Sequence, residues 1–406
     1  MRLKKHLDKY SRDAERRIPG AGARAQQRVA ILPELMDLCD LASLRRAAKS
    51  LKAKYERLDV VILNAGIGGW TGVDWIGAAR QFFREGLGIL HRPDYKIGAV
   101  GKVTKKQVRD VERLRGDEPA LGEVFCANVF GHYLLAHYLV PLLSRKSSGS
   151  APGRIVWVST LEAYAHTFSL EDFQGIANPL AYESSKRLTD LLIMTADLEG
   201  TSEQTRQYFS PVSSYSSPAS NDGATSGAES GMRSLRSSTR LRQTPTKNGS
   251  PDSVVNGTQE DKLVAVKPKL YLSHPGMCVT GIMPLPWVMI YIWIFSLYIA
   301  RLCGSPWHTC HPYPAATSMV WLALADEKTL DNMDGGVQGR GKWGSAVNWL
   351  GKERVKRTVV DGWVDEKGDP VAKEERLGFE RLGKQCWESM EELREEWERR
   401  LGDDGL

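Results

Sequence analysis

The sequence lacks several features that would assign it to a particular class of protein. Its six cysteines form no C-x-x-C pair and no regular framework, so we expect reduced thiols, as in a cytosolic-type compartment. The N-terminus has no apolar stretch of the kind found in signal peptides. The formal net charge is only +6, and basic residues are scattered among acidic ones, which gives no support for nucleic-acid binding.

A metal-binding motif is also missing. Cys303, His308, Cys310 and His311 lie close together in the chain, but their spacing fits no tetrahedral zinc pattern. What remains is an ordinary globular composition, with 42% hydrophobic and 26% charged residues among 406. A chain of this length can hold one large α/β domain with additions, or two domains.

Alternating apolar runs and helical patterns predict a doubly wound α/β fold. Residues 28–38 are expected to form a strand, followed by a helix with Ser43 as its N-cap. Further strands are predicted at residues 58–63, 154–158 and 269–273. Strand, helix and strand with short joins favour a parallel, Rossmann-like sheet.

Composition divides the chain further. Residues 1–27 are expected to form a helical segment with a linker, residues 28–200 and 263–345 the two parts of the Rossmann-like core, and residues 346–406 a helical extension. Residues 201–262 are rich in Ser, Thr, Gly, Asn and Pro, which predicts a disordered insertion. A phosphorylated regulatory loop is the alternative interpretation.

Three other segments lie outside this alternation. Residues 67–115 are predicted to be a lid-like excursion, and residues 122–143 a long apolar helix. Residues 285–302 are almost wholly apolar, but spanning a bilayer takes roughly 20 apolar residues. The Trp and Tyr content of this segment, with Arg301 near its end, favours a helix embedded at a membrane interface. A buried core or dimer helix is the alternative.

Polar residues follow the predicted strands. Asn64 comes directly after one strand, and Ser159 and Thr160 end another; parallel strands end at one edge of a sheet, where nucleotides bind. Tyr182 and Lys186 are four residues apart and share one face of a helix. A neighbouring cation lowers a phenol's pKa from about 10 and makes it a better general acid. Alone, such a pair is more often a solvated helix face.

Together these motifs resemble the short-chain dehydrogenase/reductase family. The motifs are Asn64-Ala65-Gly66, Asn128, Ser159-Thr160, Tyr182 with Lys186, and Pro275-Gly276 with Thr280. Within this family, residues 64–70 (NAGIGGW), 169–174 (SLEDFQ) and 342–345 (KWGS) are similar to the fungal 3-keto-steroid reductases of sterol C-4 demethylation. The resemblance covers residues 28–363 without the insertion.

The resemblance implies reduction of a 3-oxo sterol with NADPH. Tyr182 would protonate the carbonyl oxygen, and Lys186 would lower the pKa of Tyr182 and hold the nicotinamide ribose. Ser159 or Thr160 would orient the ketone; the family usually has Ser where this chain has Thr160, and Thr keeps the hydroxyl but is stiff at χ1. Asn128 would support a proton-relay water.

The resemblance also implies a cofactor site, partners and a location. Asp37 would meet the adenine, Asn64 and Gly66 would line the cofactor, Val279 would contact it, and Thr280 would hold its carboxamide or phosphate side. The implied partners are a sterol ketone, a membrane surface or bilayer, and other enzymes of sterol C-4 demethylation. The implied location is the cytosolic face of the endoplasmic reticulum membrane, or a lipid droplet. A retinol or 17-keto steroid reductase and a non-catalytic membrane scaffold are the alternatives.

One family motif is not found in the sequence. The family begins with a strand and a Thr-Gly-x-x-x-Gly-x-Gly turn, whose amides bind the pyrophosphate at a helix N-terminus. Gly20-Ala21-Gly22 has neither the preceding strand nor the glycine spacing. We therefore expect an N-terminally truncated Rossmann-like fold, with an inactive, cofactor-poor relative as the alternative.

Overall fold

A computed structural model of the chain describes residues 2–86, 95–107, 118–145, 151–210, 266–282, 285–333, 341–365 and 369–402. The helices are α1 (Arg2–Arg17), α2 (Ala21–Arg28), α3 (Leu41–Lys54), α4 (Trp75–Glu85), α5 (Glu123–Phe125), α6 (Gly131–Leu143), α7 (Ala181–Thr195), α8 (Ser202–Tyr208), α9 (Trp287–Leu302), α10 (Pro312–Ala315), α11 (Thr317–Leu324), α12 (Glu327–Met333) and α13 (Lys373–Leu401). The strands are β1 (Val60–Leu63), β2 (Trp70–Val73), β3 (Lys96–Gly98), β4 (Arg154–Val158), β5 (Lys269–His274), β6 (Lys342–Val347) and β7 (Glu353–Thr358).

Five strands form the central sheet, in the order β1-β4-β5-β6-β7. The first four are parallel, and β7 runs antiparallel to β6. Every residue of β4 is buried, as expected for a parallel strand that is covered on both faces. The predicted Rossmann-like α/β fold is therefore confirmed.

Helices cover both faces of this sheet. On one face α3, α6, α7 and α13 contribute to the larger hydrophobic core, together with apolar residues of the strands. On the other face Met319 and Leu322 of α11 and Leu330 of α12 pack against Val156 of β4 and Trp343 of β6. The fold thus has three layers, and the carboxyl ends of its parallel strands share one edge.

The predicted helix at residues 122–143 is present as Glu123–Leu143, and its turn at Cys126–Phe130 is π-helical. By length and composition this helix could cross a membrane, but 94% of its apolar window is buried inside the chain. It is a core helix against the sheet.

The strand predicted at residues 28–38 is wrong. Residues 29–37 have no regular secondary structure and pair with no strand in the described part of the chain. Apolar β-prone residues form a strand only when a neighbouring strand accepts their hydrogen bonds, and Pro33 has no N–H to offer. The predicted N-cap is also wrong, because Asp40 caps α3 and its carboxylate accepts from the backbone N–H of Ser43 at 3.0 Å.

Two predicted boundaries need correction. The insertion predicted from residue 201 begins too early, because α8 belongs to the core and the Tyr208 ring lies 4.3 Å from the Tyr133 ring. Residues 211–262 of that insertion lie outside the described residues. The extension from residue 346 is not wholly helical: it contains the end of β6 and all of β7 before α13 begins at Lys373.

The excursion at residues 67–115 contains the antiparallel hairpin β2–β3, with α4 between the two strands. This hairpin packs tightly against the segment that leads into α7. A Cβ on Gly98 would lie 1.9 Å from the carbonyl oxygen of Pro179, so only glycine fits there. The Gly101 N–H also donates to the carbonyl of Ile176 at 2.6 Å.

Candidate active site

A cavity of about 810 Å³ opens at the carboxyl edge of the sheet. Its walls come from the loops after β1, β4 and β5, from the hairpin β2–β3, and from α4, α7 and α9. Seven of the predicted site residues line it: Asn64, Gly66, Ser159, Thr160, Tyr182, Lys186 and Thr280. The structure therefore brings together residues that lie more than 200 positions apart in the sequence.

Tyr182 lies in the first turn of α7, with its ring between aromatic and cationic groups. The Trp70 ring is 5.0 Å away at 58°. The Lys96 and Lys186 ammonium groups lie 5.8 and 5.9 Å from the Tyr182 ring centroid. The phenol thus has two cations as neighbours.

The sequence predicts that Lys186 lowers the pKa of Tyr182, but in the structure other groups shift this pKa. Burial raises its pKa above the ordinary value, and the Glu162 carboxylate raises it further. The cation that lowers this pKa is Lys96, and a hydrogen bond with the Thr160 side chain also lowers it.

Lys186 is turned towards the backbone. Its Nζ donates to the carbonyl oxygen of Val158 at 2.7 Å, which fixes the ammonium at the end of β4. Burial lowers the pKa of Lys186 to about 8, although the Asp190 carboxylate opposes this shift. An amine of this pKa can exchange a proton near neutral pH.

The two candidate hydroxyls at the end of β4 point to different surroundings. Ser159 is buried, and its Oγ donates to Asp190 Oδ1 at 2.5 Å. The other oxygen of Asp190 accepts from Lys342 Nζ at 2.6 Å. Thr160 Oγ1 instead accepts from the Glu162 N–H at 3.4 Å, and the Thr160 side chain lies beside the Tyr182 phenol, whose pKa it lowers. Geometry therefore places Thr160 beside the phenol and Ser159 in a buried polar network.

Asn128 lies in the π-helical turn, behind the cavity wall. Its side chain donates to the Ile67 carbonyl at 3.0 Å and to Ser185 Oγ at 3.1 Å, and it accepts from the Ile67 N–H at 2.8 Å. A Cβ on Gly66 would lie 2.6 Å from Asn128 Oδ1. Asn128 thereby ties the loop after β1 to α7, and glycine lets the loop approach it closely.

Two predicted cofactor residues do not line the cavity. Asp37 lies in the loop before α3, where its carboxylate accepts from the Cys39 N–H at 2.9 Å. Val279 contributes a backbone hydrogen bond to the carbonyl of Cys310 at 3.2 Å. Their roles stay predictions.

Sequence reasoning missed four residues around the phenol: Trp70, Lys96, Glu162 and Glu183. Lys96 Nζ pairs with Glu162 at 2.6 Å and also with Glu183. Trp70 ends the NAGIGGW motif of residues 64–70, but neither it nor Lys96 lies in a segment with helical or strand periodicity, so no role at the site was predicted for them. Glu183 had a second signal, its position directly after Tyr182.

The residues at this edge fit the nicotinamide half of a dinucleotide. Asn64 and Gly66 are exposed there, Gly66 without a Cβ, and Lys186 supplies a cation beside them. For the pyrophosphate half, the part of the chain that the structure describes offers no glycine-rich turn between a strand and a helix at this edge. In that same part, no group of three or more His, Cys, Asp or Glu residues is suited to a metal ion.

The fold and the site together define a class. A Tyr–Lys pair one turn apart on a helix faces a hydroxyl at the carboxyl end of a parallel strand, in a Rossmann-like sheet. This is the arrangement of a short-chain dehydrogenase/reductase.

Comparison with known proteins narrows the class. The 3-keto-steroid reductase of Aspergillus fumigatus is 36% identical, over 99% of this chain and 83% of that protein. The 3-keto-steroid reductase of Gibberella zeae is 33% identical, over 92% of this chain and 78% of that protein. The chain therefore belongs to the 3-keto-steroid reductases of the short-chain dehydrogenase/reductase family, and it is an oxidoreductase.

Other comparisons add little. No family model matches the chain. NADPH-bound carbonyl reductase from chicken fatty liver shares 13% identity, with a TM-score of 0.29, over 82% of this chain and 79% of that one. A likeness of this size carries no argument about function.

Proposed function

We propose that the protein reduces the 3-keto group of a sterol to the 3-hydroxyl, with NADPH as the hydride donor, in sterol biosynthesis of the ergosterol type. The names of the two relatives support the reaction. The observation that carries the proposal is the contact of Thr160 with Tyr182 at the wall of a large cavity, with Lys186 one helical turn away.

In this proposal the chain supplies the proton and the orientation. The reduced nicotinamide, when bound, supplies a hydride to the carbonyl carbon. The Tyr182 hydroxyl gives its proton to the carbonyl oxygen, and the Thr160 hydroxyl holds that oxygen in place. Lys186 holds the ribose beside the phenolate that remains. Asn128 keeps the loop after β1 in position and supports a water through which Tyr182 regains its proton.

The cavity wall suits a large apolar substrate. Its apolar lining includes Val73, Ala78, Leu285, Met289 and Trp293. A mostly apolar wall with a few polar groups is typical of a site for an apolar ligand that the polar groups orient. A sterol ketone matches this distribution.

We place the enzyme at a membrane surface. α9 has 16 residues, which is shorter than a bilayer span requires, and Trp287, Tyr291 and Phe295 are 73%, 67% and 66% exposed. Inner residues of the same helix line the cavity, among them Met289 and Trp293. An interfacial α9 would let a sterol pass from lipid into the site. The proposed location is the cytosolic face of the endoplasmic reticulum or a lipid droplet, beside other enzymes of sterol C-4 demethylation.

A second candidate is a non-catalytic membrane scaffold for sterol enzymes. It is favoured by the described residues' lack of a pyrophosphate-binding turn at the cavity edge. A retinol or 17-keto steroid reductase would share the chemistry but not the substrate. Assays with 3-keto sterols, 17-keto steroids and retinal separate the proposed 3-keto sterol reductase from this enzymatic alternative.

The decisive experiment measures cofactor binding and turnover separately. Enhancement of NADPH fluorescence by the purified protein is expected; no binding at millimolar NADPH would favour the scaffold. Tyr182→Phe should lower ketone reduction by about 10²-fold or more and leave NADPH affinity nearly unchanged. Tyr95→Phe is the matched control, because it removes another phenol from the cavity wall. Undiminished turnover in Tyr182→Phe would remove this residue from the acid role.

A further inference from the structure

A buried ion cluster lies beside Tyr182. Lys96 has only 4% of its side chain exposed, and Glu162 and Glu183 have 12% and 6%. Burying three charges is costly unless they are paired. The Lys96 ammonium meets this requirement by contacting both carboxylates.

The cluster joins three separate pieces of the chain. Lys96 is the first residue of β3, Glu162 lies in the loop after β4, and Glu183 is in the first turn of α7. Lys96 also lies 4.6 Å from the centroid of the Trp70 ring, and that ring contacts Tyr182. Lys96 thus links the hairpin β2–β3 to the loop after β4 and to α7, beside the Tyr182 phenol.

The charged and titratable groups around Tyr182 come from every element packed against it. Lys96 faces it from the hairpin, Glu162 from the loop after β4, and Glu183 and Lys186 from its own helix. Tyr95, a second phenol from the hairpin, lines the same cavity. Removing one of these charges shifts the balance between phenol and phenolate in a direction fixed by its sign.

We propose that Lys96 is a positioning residue for the reaction at Tyr182: it anchors the hairpin β2–β3 over the phenol ring and places a second positive charge beside it. This inference rests on the proposed function, in which Tyr182 is the proton donor. The two carboxylates hold Lys96 in its charged form, because burial works against the charge but Glu162 and Glu183 raise the pKa of Lys96 above its ordinary value. The charge therefore persists over the whole working pH range.

The test uses the reverse reaction, oxidation of a 3-hydroxy sterol with NADP, because only the phenolate accepts the alcohol proton. Lys96→Met removes a positive charge, so the acid limb of kcat/KM should move to higher pH by about one unit. Glu162→Gln removes a negative charge, so the limb should move to lower pH by about the same amount. Lys96→Arg should stay near the wild type. A merely structural role would not produce shifts of opposite sign.

Lys102→Met is the matched control, because Lys102 lies on the same excursion but is 54% exposed and pairs with Glu123. The acid limb of kcat/KM should stay at the wild-type pH in Lys102→Met. If this limb stays at the wild-type pH in both Lys96→Met and Glu162→Gln, or moves in the same direction in both, the charge role of Lys96 is wrong. Should Lys96→Met fail to fold, the direction of the shift in Glu162→Gln still tests the effect of charge on Tyr182.

Hydrogen exchange of residues 70–73 and 95–98 tests the anchor without turnover. Exchange there should be faster in Lys96→Met than in Lys102→Met, and equal rates would overturn the anchoring role. This readout also separates the two hypotheses. If Tyr182→Phe keeps its turnover, the acid role of Tyr182 fails, whereas the exchange rates still decide whether Lys96 holds the hairpin.

Discussion

At the scale of single residues, the structure distinguishes the two hydroxyls at the end of β4. The Thr160 side chain lies beside the Tyr182 phenol and lowers its pKa, whereas Ser159 Oγ is bonded to the buried Asp190. Thr160→Val keeps the shape of the side chain and removes the hydroxyl, so we expect kcat for ketone reduction to fall by about 10²–10³-fold. Thr160→Ser should restore most of the rate, as measured by NADPH consumption.

Ser159→Ala is the matching test at the neighbouring position. It removes a hydrogen bond to a buried carboxylate, so the free energy of unfolding should fall by about 1–3 kcal/mol while kcat changes much less than in Thr160→Val. Denaturant unfolding gives the first quantity and steady-state kinetics the second. The assignment is wrong if Ser159→Ala abolishes turnover and Thr160→Val does not.

The sequence could predict which residues lie at the site but not the direction in which each side chain points. Tyr182 and Lys186 share a helix face by their spacing alone, and both line the cavity. Adjacent residues at a strand end point in opposite directions, so Ser159 and Thr160 had to differ. Both residues line the cavity, but Ser159 Oγ is bonded to Asp190, 31 positions further along the chain, and no local pattern contains that information.

At the scale of elements, α9 is the segment whose surroundings decide its role. Trp287, Tyr291 and Phe295 recur every four residues along its exposed side. Burying one such side chain in lipid contributes about 1.5–3 kcal/mol. We therefore expect the double variant Tyr291→Glu, Phe295→Glu to bind phospholipid vesicles roughly 100-fold or more weakly, as measured by flotation.

Leu35→Glu provides the control for that experiment, because Leu35 is 93% exposed and lies outside α9. Its vesicle binding should match the wild type. Equal loss in both proteins would point to a general effect of negative charge. Unchanged binding in the α9 variant would show that this helix does not attach the protein to lipid.

Elements with strong periodicity could be predicted, and those held by distant contacts could not. β4 and β5 lie where the sequence predicts strands, at residues 154–158 and 269–273. α13 lies within the predicted helical extension, residues 346–406. The hairpin β2–β3 shows no such pattern. It is held by contacts with residues 176–179 and by the Lys96 ion cluster, so its fold follows from tertiary structure.

At the scale of the whole molecule, α13 supports α7, the helix of Tyr182 and Lys186, from almost 200 positions away. Trp387 of α13 donates its indole N–H to the carbonyl oxygen of Leu192 in α7 at 3.0 Å. Arg394, fully buried, bonds with Glu391, whose carboxylate also accepts from the Tyr133 hydroxyl of α6 at 2.5 Å. α13 therefore fixes α6 and α7 together against the sheet.

Trp387→Ala should test this support. The side chain is 1% exposed, and truncating a buried Trp costs about 3–5 kcal/mol of unfolding free energy. Trp349→Ala, at a position 61% exposed, should stay within about 0.5 kcal/mol of the wild type. Because α7 carries Tyr182 and Lys186, the activity of Trp387→Ala should also be lost at a lower urea concentration than that of Trp349→Ala. If both variants lose structure and activity at the wild-type urea midpoint, α13 does not stabilise α7, and the sheet alone holds α7 in place.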